Sequence, residues 1–285
     1  MYGVILPMDR ELILAKYLRD KRKLAQITKN SYCQSIQNLY RFCPHELRKI
    51  THKDIIAWLN YLRERKSCTP ATIRARLSAV KSFFTYLTEE EIIAYNPLIG
   101  LKGPKLGTKS PPTLPTDAIF YLREATIENL RLGTLIEVLF ATGVRVTELI
   151  NIKLQDIYWD ENAILITIGK RKSQRFVFFT DICRCLMEEY IESRQDDCPY
   201  LFINHHNKQL TRQGVFYLLK NIAKTCIDTN IYPHLFRHSL AAILIEMGAQ
   251  LQEVADILGH KNLNNVRIYA QFSSKARKKV YDRYF

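Results

Sequence analysis

Five short segments between residues 141 and 272 carry side chains suited to breaking and remaking a phosphodiester bond. They are ATGVRVTEL at 141–149, GKRKSQR at 169–175, HLFRH at 234–238, LGH at 258–260 and IYAQF at 268–272. Together they supply guanidiniums, lysines, imidazoles and a phenol. Phosphoryl transfer without a metal can proceed with this set, because cations neutralise the phosphate, an acid protonates the leaving oxygen and a hydroxyl attacks.

Each residue type has a chemical reason to be present. As a hydroxyl attacks phosphorus, negative charge builds on the non-bridging oxygens, and an arginine stays charged and grips two of them at once. The leaving 5′ oxygen needs a positioned general acid such as lysine or histidine. A phenol is a feasible nucleophile because its phosphodiester retains the energy of the broken bond for the return reaction, so no ATP is needed.

In this order the five segments resemble the tyrosine recombinase family, particularly its short Xer-like members. The catalytic positions of the family match six residues of this chain: Arg145, Lys170, His234, Arg237, His260 and Tyr269. The resemblance implies that the two arginines hold the phosphate and that the lysine protonates the leaving oxygen. It also implies that the histidines bind the phosphate or manage the nucleophile's proton, while Tyr269 forms a 3′-phosphotyrosine and frees a 5′ hydroxyl.

The identity of the general acid stays open within the 169–175 segment. Arg171 and Lys172 adjoin Lys170, so each of the three is a candidate, and Lys170 is favoured because it directly follows Gly169 at a predicted strand end. The subfamily stays open as well. After Tyr269 the chain continues Ala-Gln, whereas many Xer-like members continue Thr-His.

Two further residues are expected to support the site without belonging to the catalytic set. Glu148 lies one helical turn after Arg145, and we expect it to orient that arginine or a neighbour. His238 lies on the helix that follows His234, and we expect a structural role for it.

The front of the chain, residues 9–95, shows helical spacing throughout and predicts four helices. Two apolar stripes have the width of a core-facing helix side. They consist of Tyr32, Ile36, Leu39, Tyr40 and Cys43, and of Ile73, Leu77, Val80, Phe84 and Leu87. Thr51 with Asp54 predicts one helix start and Pro70 another. This region resembles the family's SAM-like core-binding domain, a helical DNA-binding arm.

A proline- and glycine-rich segment follows the helical region. Residues 97–115 contain five Pro and three Gly with lysines between them, which predicts an extended basic linker. The expected division is therefore a core-binding domain over 1–96, a linker over 97–115 and a catalytic domain with a C-terminal tail helix over 116–285.

The catalytic region mixes helices with a short hairpin. Helical patterning covers 116–123 and 131–150, and strands are predicted at 163–168 and 175–179 around a basic tip. Later helical stripes follow, one of Leu240, Ile243, Leu244 and Met247 and one of Leu251, Val254, Ala255 and Leu258. The tail has a stripe of Ala276, Val280 and Tyr284, and the resemblance implies that it docks on a neighbouring protomer, with packing on its own domain as the alternative.

Charge is concentrated at the front of the chain. Of the 285 residues, 42 are Lys or Arg and 28 are Asp or Glu, a net charge of +14. Residues 1–105 hold 19 basic against 9 acidic side chains, and the remainder holds 23 against 19. An acidic polymer is therefore the expected partner, and the front third is the expected electrostatic clamp.

The sequence gives only weak signals for a cofactor, a metal site or a membrane-spanning segment. The seven cysteines include no C-x-x-C pair, so they are expected to be reduced in a cytoplasmic protein. Cys183, Cys185, His205 and His206 fit no common zinc spacing. No apolar stretch approaches the length of a membrane-spanning helix, and we expect neither a cofactor nor a metal.

These observations predict a mainly α protein with a small antiparallel β-sheet, whose two domains form a C-shaped clamp around duplex DNA. The resemblance implies a homo-tetramer on inverted-repeat sites that exchanges strands through a Holliday junction, with a second recombinase or accessory protein as an open question. Dimer resolution, cointegrate resolution and integration also stay open. The alternatives are a type IB topoisomerase-like enzyme and a non-catalytic DNA-binding or architectural protein.

Overall fold

The chain divides into two compact units, residues 1–108 and 109–285. The computed structural model describes residues 10–105, 111–115, 117–168, 173–227 and 229–259. Three of the six predicted catalytic residues, Lys170, His260 and Tyr269, lie outside the described residues. The predicted linker over 97–115 spans the division and stays a prediction.

In the part of the first unit that the structure describes, the regular secondary structure is helical and includes no strand. They are α1 (Arg10–Asp20), α2 (Gln26–Phe42), α3 (His52–Glu64) and α4 (Pro70–Glu89), with a short 3-10 turn at Leu47–Lys49. The sequence signals for two helix starts hold. Thr51 caps α3 in a reciprocal pair of hydrogen bonds with Asp54, and Pro70 occupies the first turn of α4 behind the capping Thr69.

The two predicted apolar stripes form most of this unit's core. Leu77, Val80, Phe84 and Leu87 of α4 are buried against Ile36 and Leu39 of α2 in one cluster. Trp58 of α3 is also buried, and its indole N–H donates to Asn38 Oδ1 at 2.9 Å. The polar side of α2 is thereby tied to α3.

The second unit is mainly helical with one three-stranded antiparallel sheet. Its described helices are α5 (Ala118–Glu124), α6 (Leu130–Thr142), α7 (Val146–Leu149), α8 (Asp181–Glu192), α9 (Arg212–Cys226), α10 (Pro233–Glu246) and α11 (Leu251–Leu258). The strands are β1 (Ile157–Tyr158), β2 (Ala163–Ile168) and β3 (Ser173–Phe178), in the order β1-β2-β3. The fold class is the predicted one.

The hairpin of β2 and β3 has the predicted position with small differences. Strand β2 has the predicted bounds, and β3 begins two residues earlier than predicted and pairs in register from Ala163 with Phe178 to Ile168 with Ser173. Strand β1 was not predicted, because two residues are too short to show an alternating pattern.

The predicted helix over 131–150 is interrupted. Gly143 ends α6 with φ +58°, a left-handed conformation that favours glycine, and α7 starts only at Val146. Hydrophobic spacing continues across this break because Val144, Val146 and Leu149 are all buried in the same core. The interruption places Arg145 between the two helices.

The core of the second unit surrounds α6. Leu135 and Leu139 of α6 pack in one cluster with Ile164, Val177 and Phe236, while α10 and α11 form a smaller cluster of their own. The stripe of α10 that the sequence placed on one face is only partly buried, since Ile243 and Met247 are exposed. In the described part of the chain, no helix is both long and apolar enough to cross a bilayer.

Replacing Gly143 by alanine tests how tightly this break is packed. An added Cβ would lie 2.9 Å from Leu240 Cδ2 and from Leu258 Cδ2. Gly100 also has positive φ, but a Cβ there meets nothing within 4 Å, so Gly100→Ala should cost only the left-handed strain, roughly 1–2 kcal/mol. We expect Gly143→Ala to cost roughly 1–3 kcal/mol more, measured by urea denaturation, and equal costs would contradict the packing described.

Candidate active site

Arg145 is held at the surface by a single acidic residue. Its backbone N–H donates to Glu148 Oε2 at 2.9 Å, and its Nη1 donates to Glu148 Oε1 at 2.8 Å. The break after Gly143 makes this possible, because Arg145 is the N-cap of α7 and Glu148 is the third residue of that helix. The Arg145 side chain keeps 34% of its surface exposed, so the guanidinium is fixed at one end and open to solvent.

Glu148 also binds a second arginine. Arg175 of β3 donates from Nη1 to Oε1 at 3.1 Å and from Nη2 to Oε2 at 2.9 Å, a two-pronged contact. Burial of the carboxyl would raise its pKa, but the hydrogen bonds and charges of Arg175 and Arg145 outweigh burial and lower the pKa to about 2. With 5% of its side chain exposed, Glu148 is a buried, ionised carboxylate that joins two segments far apart in sequence.

Arg237 joins two helix ends. Its Nη1 donates to the carbonyl of Gly143 at 2.8 Å and its Nη2 to the carbonyl of Leu258 at 2.5 Å. These carbonyls lie at the C-terminal ends of α6 and α11, where main-chain oxygens lack helical partners and carry partial negative charge. Arg237 is 3% exposed. Helix α10 therefore carries a buried cation, and the two backbone carbonyls fix the orientation of its guanidinium.

Gly259 brings the end of α11 against Arg175. This glycine caps α11 with φ +64°, and a Cβ built on it would lie 2.6 Å from both Cδ and Nε of Arg175. A side chain at this position would be strained by the backbone conformation and would have to displace the side chain of Arg175. Glu148, Arg175, the Leu258–Gly259 end of α11 and Arg237 form a continuous set of contacts that holds four chain segments together.

The first turn of α10 places His234 near these arginines. The residue is exposed to solvent, yet partial burial of its ring and the positive charges of Arg237 and Arg145 lower its pKa. The imidazole is thus neutral at pH 7 and offers one N–H donor and one acceptor. His238 lies behind it with ring centroids 6.3 Å apart, and its pKa is also lowered by burial and by His234 and Arg237.

The structure therefore brings together three of the six predicted site residues. The charges of Arg145 and Arg237 both act on His234. The other three, with the alternative acids Arg171 and Lys172, lie outside the described residues, and their roles stay predictions.

Sequence analysis overlooked Arg175, which it assigned only to a strand. A signal was available, because Arg175 and the buried Val177 are two residues apart on β3 and therefore point to the same face of the sheet. A basic side chain on the buried face of an apolar strand requires an acidic partner. Glu148 is that partner.

The geometry does not support a zinc site formed by the two cysteines and two histidines considered above. Cys183 is buried in the core, where burial raises the pKa of its thiol, and Cys185 is exposed. His205 and His206 are exposed neighbours on a turn. In the part of the chain that the structure describes, no three His, Cys, Asp or Glu residues are grouped to hold a metal ion.

Comparison with known protein families gives two matches along the chain. The profile of the Phage integrase family matches residues 117–276. The profile of the phage integrase N-terminal SAM-like domain matches residues 13–94.

Individual proteins match over most of their length. Tyrosine recombinase XerC of Roseiflexus sp. strain RS-1 is 32% identical over 93% of this chain and 90% of its own length. Tyrosine recombinase XerD of Listeria monocytogenes strain EGD-e is 31% identical over 82% of each chain. The crystal structure of the XerH site-specific recombinase bound to difH substrate matches in fold, with a TM-score of 0.75, 22% identity and coverage of 94% of this chain and 82% of that one.

Glu148→Gln tests the shared carboxylate through pH. The folded pKa of about 2 lies below the ordinary value of 4.5, so the carboxylate stabilises the fold fully above about pH 5 and progressively less as pH falls toward 2. The pH-dependent part amounts to about 3 kcal/mol. We expect the wild type to exceed Glu148→Gln in unfolding free energy at pH 6 and the difference to shrink by pH 3. A difference independent of pH would contradict an ionised, shared Glu148.

Proposed function

This chain belongs to the phage integrase family of tyrosine recombinases, and we propose that it cuts and rejoins DNA through a covalent link to Tyr269. It is a site-specific DNA recombinase, a DNA strand transferase, and its XerC and XerD relatives are named tyrosine recombinases. The observation that supports catalysis by this chain is the arrangement of Arg145, His234 and Arg237: Glu148 fixes Arg145, a backbone carbonyl fixes Arg237, and the charges of both arginines act on His234.

In the proposed reaction the Tyr269 hydroxyl attacks a specific phosphorus and forms an O–P bond, while the bond to the 5′ oxygen breaks. Lys170 gives a proton to the departing 5′ oxygen, so the products are a 3′-phosphotyrosine and a free 5′ hydroxyl. Arg145 and Arg237 neutralise the charge that builds on the non-bridging oxygens. Rejoining reverses each step, with a 5′ hydroxyl as nucleophile and tyrosine as leaving group.

The histidines complete the proposed set. Because its lowered pKa keeps His234 neutral, it can donate a hydrogen bond to the phosphate without adding a charge. His260 would bind the phosphate or receive the proton of the tyrosine. His238 would hold His234 in place.

Two alternatives remain distinguishable by product. A type IB topoisomerase-like enzyme would relax supercoiled DNA without a second site, whereas a recombinase needs two sites and gives inversion or excision. A non-catalytic DNA-binding protein would give neither. Family membership favours the recombinase, because the matching relatives carry that name over nearly their whole length.

A polar groove between α2 and α4 of the first unit supports the proposal that the chain binds DNA. The groove has a volume of about 470 Å³. Its lining includes Gln34, Gln37, Asn38, Arg41, Thr72 and Arg76. Amides and guanidiniums are the side chains that read base edges in the major groove, so we propose that this face contacts duplex DNA.

The larger assembly follows from the same proposal. Residues 1–96 would form the core-binding arm and 116–285 the catalytic domain, joined by 97–115 into a C-shaped clamp around an inverted-repeat site. Four protomers would exchange strands through a Holliday junction, with the tail helix docked on a neighbour and a second recombinase or accessory protein as an option. A cytoplasmic location is part of the same proposal.

Tyr269→Phe tests the nucleophile. The probe is a supercoiled plasmid carrying two copies of a site selected from sheared genomic DNA by binding to the purified chain. The wild type should give a protein–DNA adduct that survives detergent, together with excised or inverted products. The variant should bind the same DNA and give neither, because it lacks the attacking oxygen.

The competing results separate the alternatives. Adduct formation by Tyr269→Phe would refute the assignment of the nucleophile. Relaxation of a plasmid with a single site, without recombinant products from two sites, would favour the topoisomerase.

The groove of the first unit gives a separate test. Arg41→Ala and Arg76→Ala should each weaken binding to the selected site by about 1–3 kcal/mol, measured by gel shift over a range of salt concentrations. Arg63→Ala is the matched control, since Arg63 is an exposed arginine of α3 paired with Glu64 and its loss changes net charge equally. Equal weakening by all three would mean that the groove has no special role.

A further inference from the structure

Arg175 is a mostly buried cation that the proposed reaction does not use. Its side chain is 12% exposed, against 34% for Arg145, although both guanidiniums bind the same carboxylate. A buried arginine is costly unless it is paired. The pairing here is with the residue that also holds a proposed catalytic arginine.

We propose that Arg175 is a positioning residue that keeps Arg145 available to the phosphate. The proposal rests on the proposed function, since it assigns Arg145 the role of neutralising phosphate charge. Arg175 would act through Glu148 and would not touch the DNA.

The first argument is geometric. Each oxygen of Glu148 accepts two hydrogen bonds: Oε1 from Nη1 of Arg145 and Nη1 of Arg175, and Oε2 from the Arg145 backbone and Nη2 of Arg175. Rotation of the carboxylate would break all four bonds. The planar fork of Arg175 places a separate nitrogen on each oxygen, whereas a lysine has one ammonium nitrogen and no rigid fork.

The second argument is electrostatic. Two guanidiniums and one carboxylate leave one unit of positive charge, and the more exposed partner is Arg145. Without Arg175, the negative charge of Glu148 would be matched by Arg145 alone. The positive potential that Arg145 offers to an approaching phosphate would then be largely cancelled, so Arg175 maintains that potential by sharing the carboxylate.

The third argument concerns the end of α11. The Cδ, Nε and Cζ atoms of Arg175 occupy the space next to Gly259 that a Cβ would need. Arg175 therefore also contacts the residue that directly precedes His260 in sequence. A single side chain links β3, α7 and the end of α11.

The test compares Arg175→Gln, Arg175→Lys and the double variant Glu148→Gln/Arg175→Gln in single-turnover formation of the covalent adduct. Two forms of the selected duplex are used, one with a normal phosphate at the cleaved position and one with a methylphosphonate, which has no negative charge there. Arg184→Gln is the control, because Arg184 pairs with Glu188 on α8, outside the site. DNA binding and the melting temperature are measured for every variant.

On the normal phosphate we expect Arg175→Gln to lose cleavage rate on the order of 10–100-fold, with binding retained. On the methylphosphonate the loss should nearly vanish, since no charge remains for Arg145 to neutralise. Arg175→Lys should show a smaller loss of the same kind. The double variant should recover part of the lost rate and not all of it, because removal of the Glu148 charge frees the potential of Arg145 while the carboxylate that holds Arg145 is also lost. Arg184→Gln should match the wild type.

An equal loss on both linkages would overturn the proposal, as it would indicate general damage to the fold. Wild-type rates for Arg175→Gln, or no recovery in the double variant, would also overturn it. If Arg175→Gln does not fold, the test rests on Arg175→Lys. Wild-type cleavage rates of Arg175→Lys on both linkages would refute the need for the guanidinium of Arg175. Arg145→Ala tests the assumption that Arg145 neutralises phosphate charge. If its cleavage rate falls equally on both linkages, the proposed role of Arg145 is wrong.

Discussion

The structure of the site depends on one buried carboxylate that two arginines share. Glu148 lies almost entirely inside the second unit, where an ionised group is tolerated only when it is paired and hydrogen-bonded. Meeting that requirement ties Arg145 at the start of α7 to Arg175 on β3. Arg175 in turn packs against Gly259. These segments cannot shift independently, because any separation would leave a charge buried without its partner.

Arg237 adds a second constraint of a different kind, made with backbone. It binds the carbonyls at the ends of α6 and α11, so the two helix ends and α10 move as one. Cations fixed in this way stabilise a developing charge without having to reorganise when DNA arrives. The fold supplies such preorganisation through the helix breaks at Gly143 and Gly259.

Features that depend on local pattern were predictable from the sequence. The α4 stripe, the helix starts at Thr51 and Pro70 and the position of β2 follow from spacing and from single residues. The matched segments pointed to Arg145, His234 and Arg237, whose catalytic roles stay predictions. Long-range pairing was not predictable. The Arg175 contact with Glu148 joins residues 27 positions apart, and the end of α6 at Gly143 was obscured because the buried residues on both sides belong to one core. The burial of Arg237 likewise depends on two helix ends distant in sequence.

The central claim is that Glu148, held by Arg175, presents Arg145 to the phosphate. The most direct measurement is a structure of the Tyr269→Phe chain bound to its uncleaved DNA site. The account predicts that both oxygens of Glu148 still accept from Arg175, while Arg145 keeps one bond to Glu148 and donates its remaining amino group to a non-bridging oxygen. A complex in which Arg145 grips the phosphate after Glu148 has separated from Arg175 would contradict it.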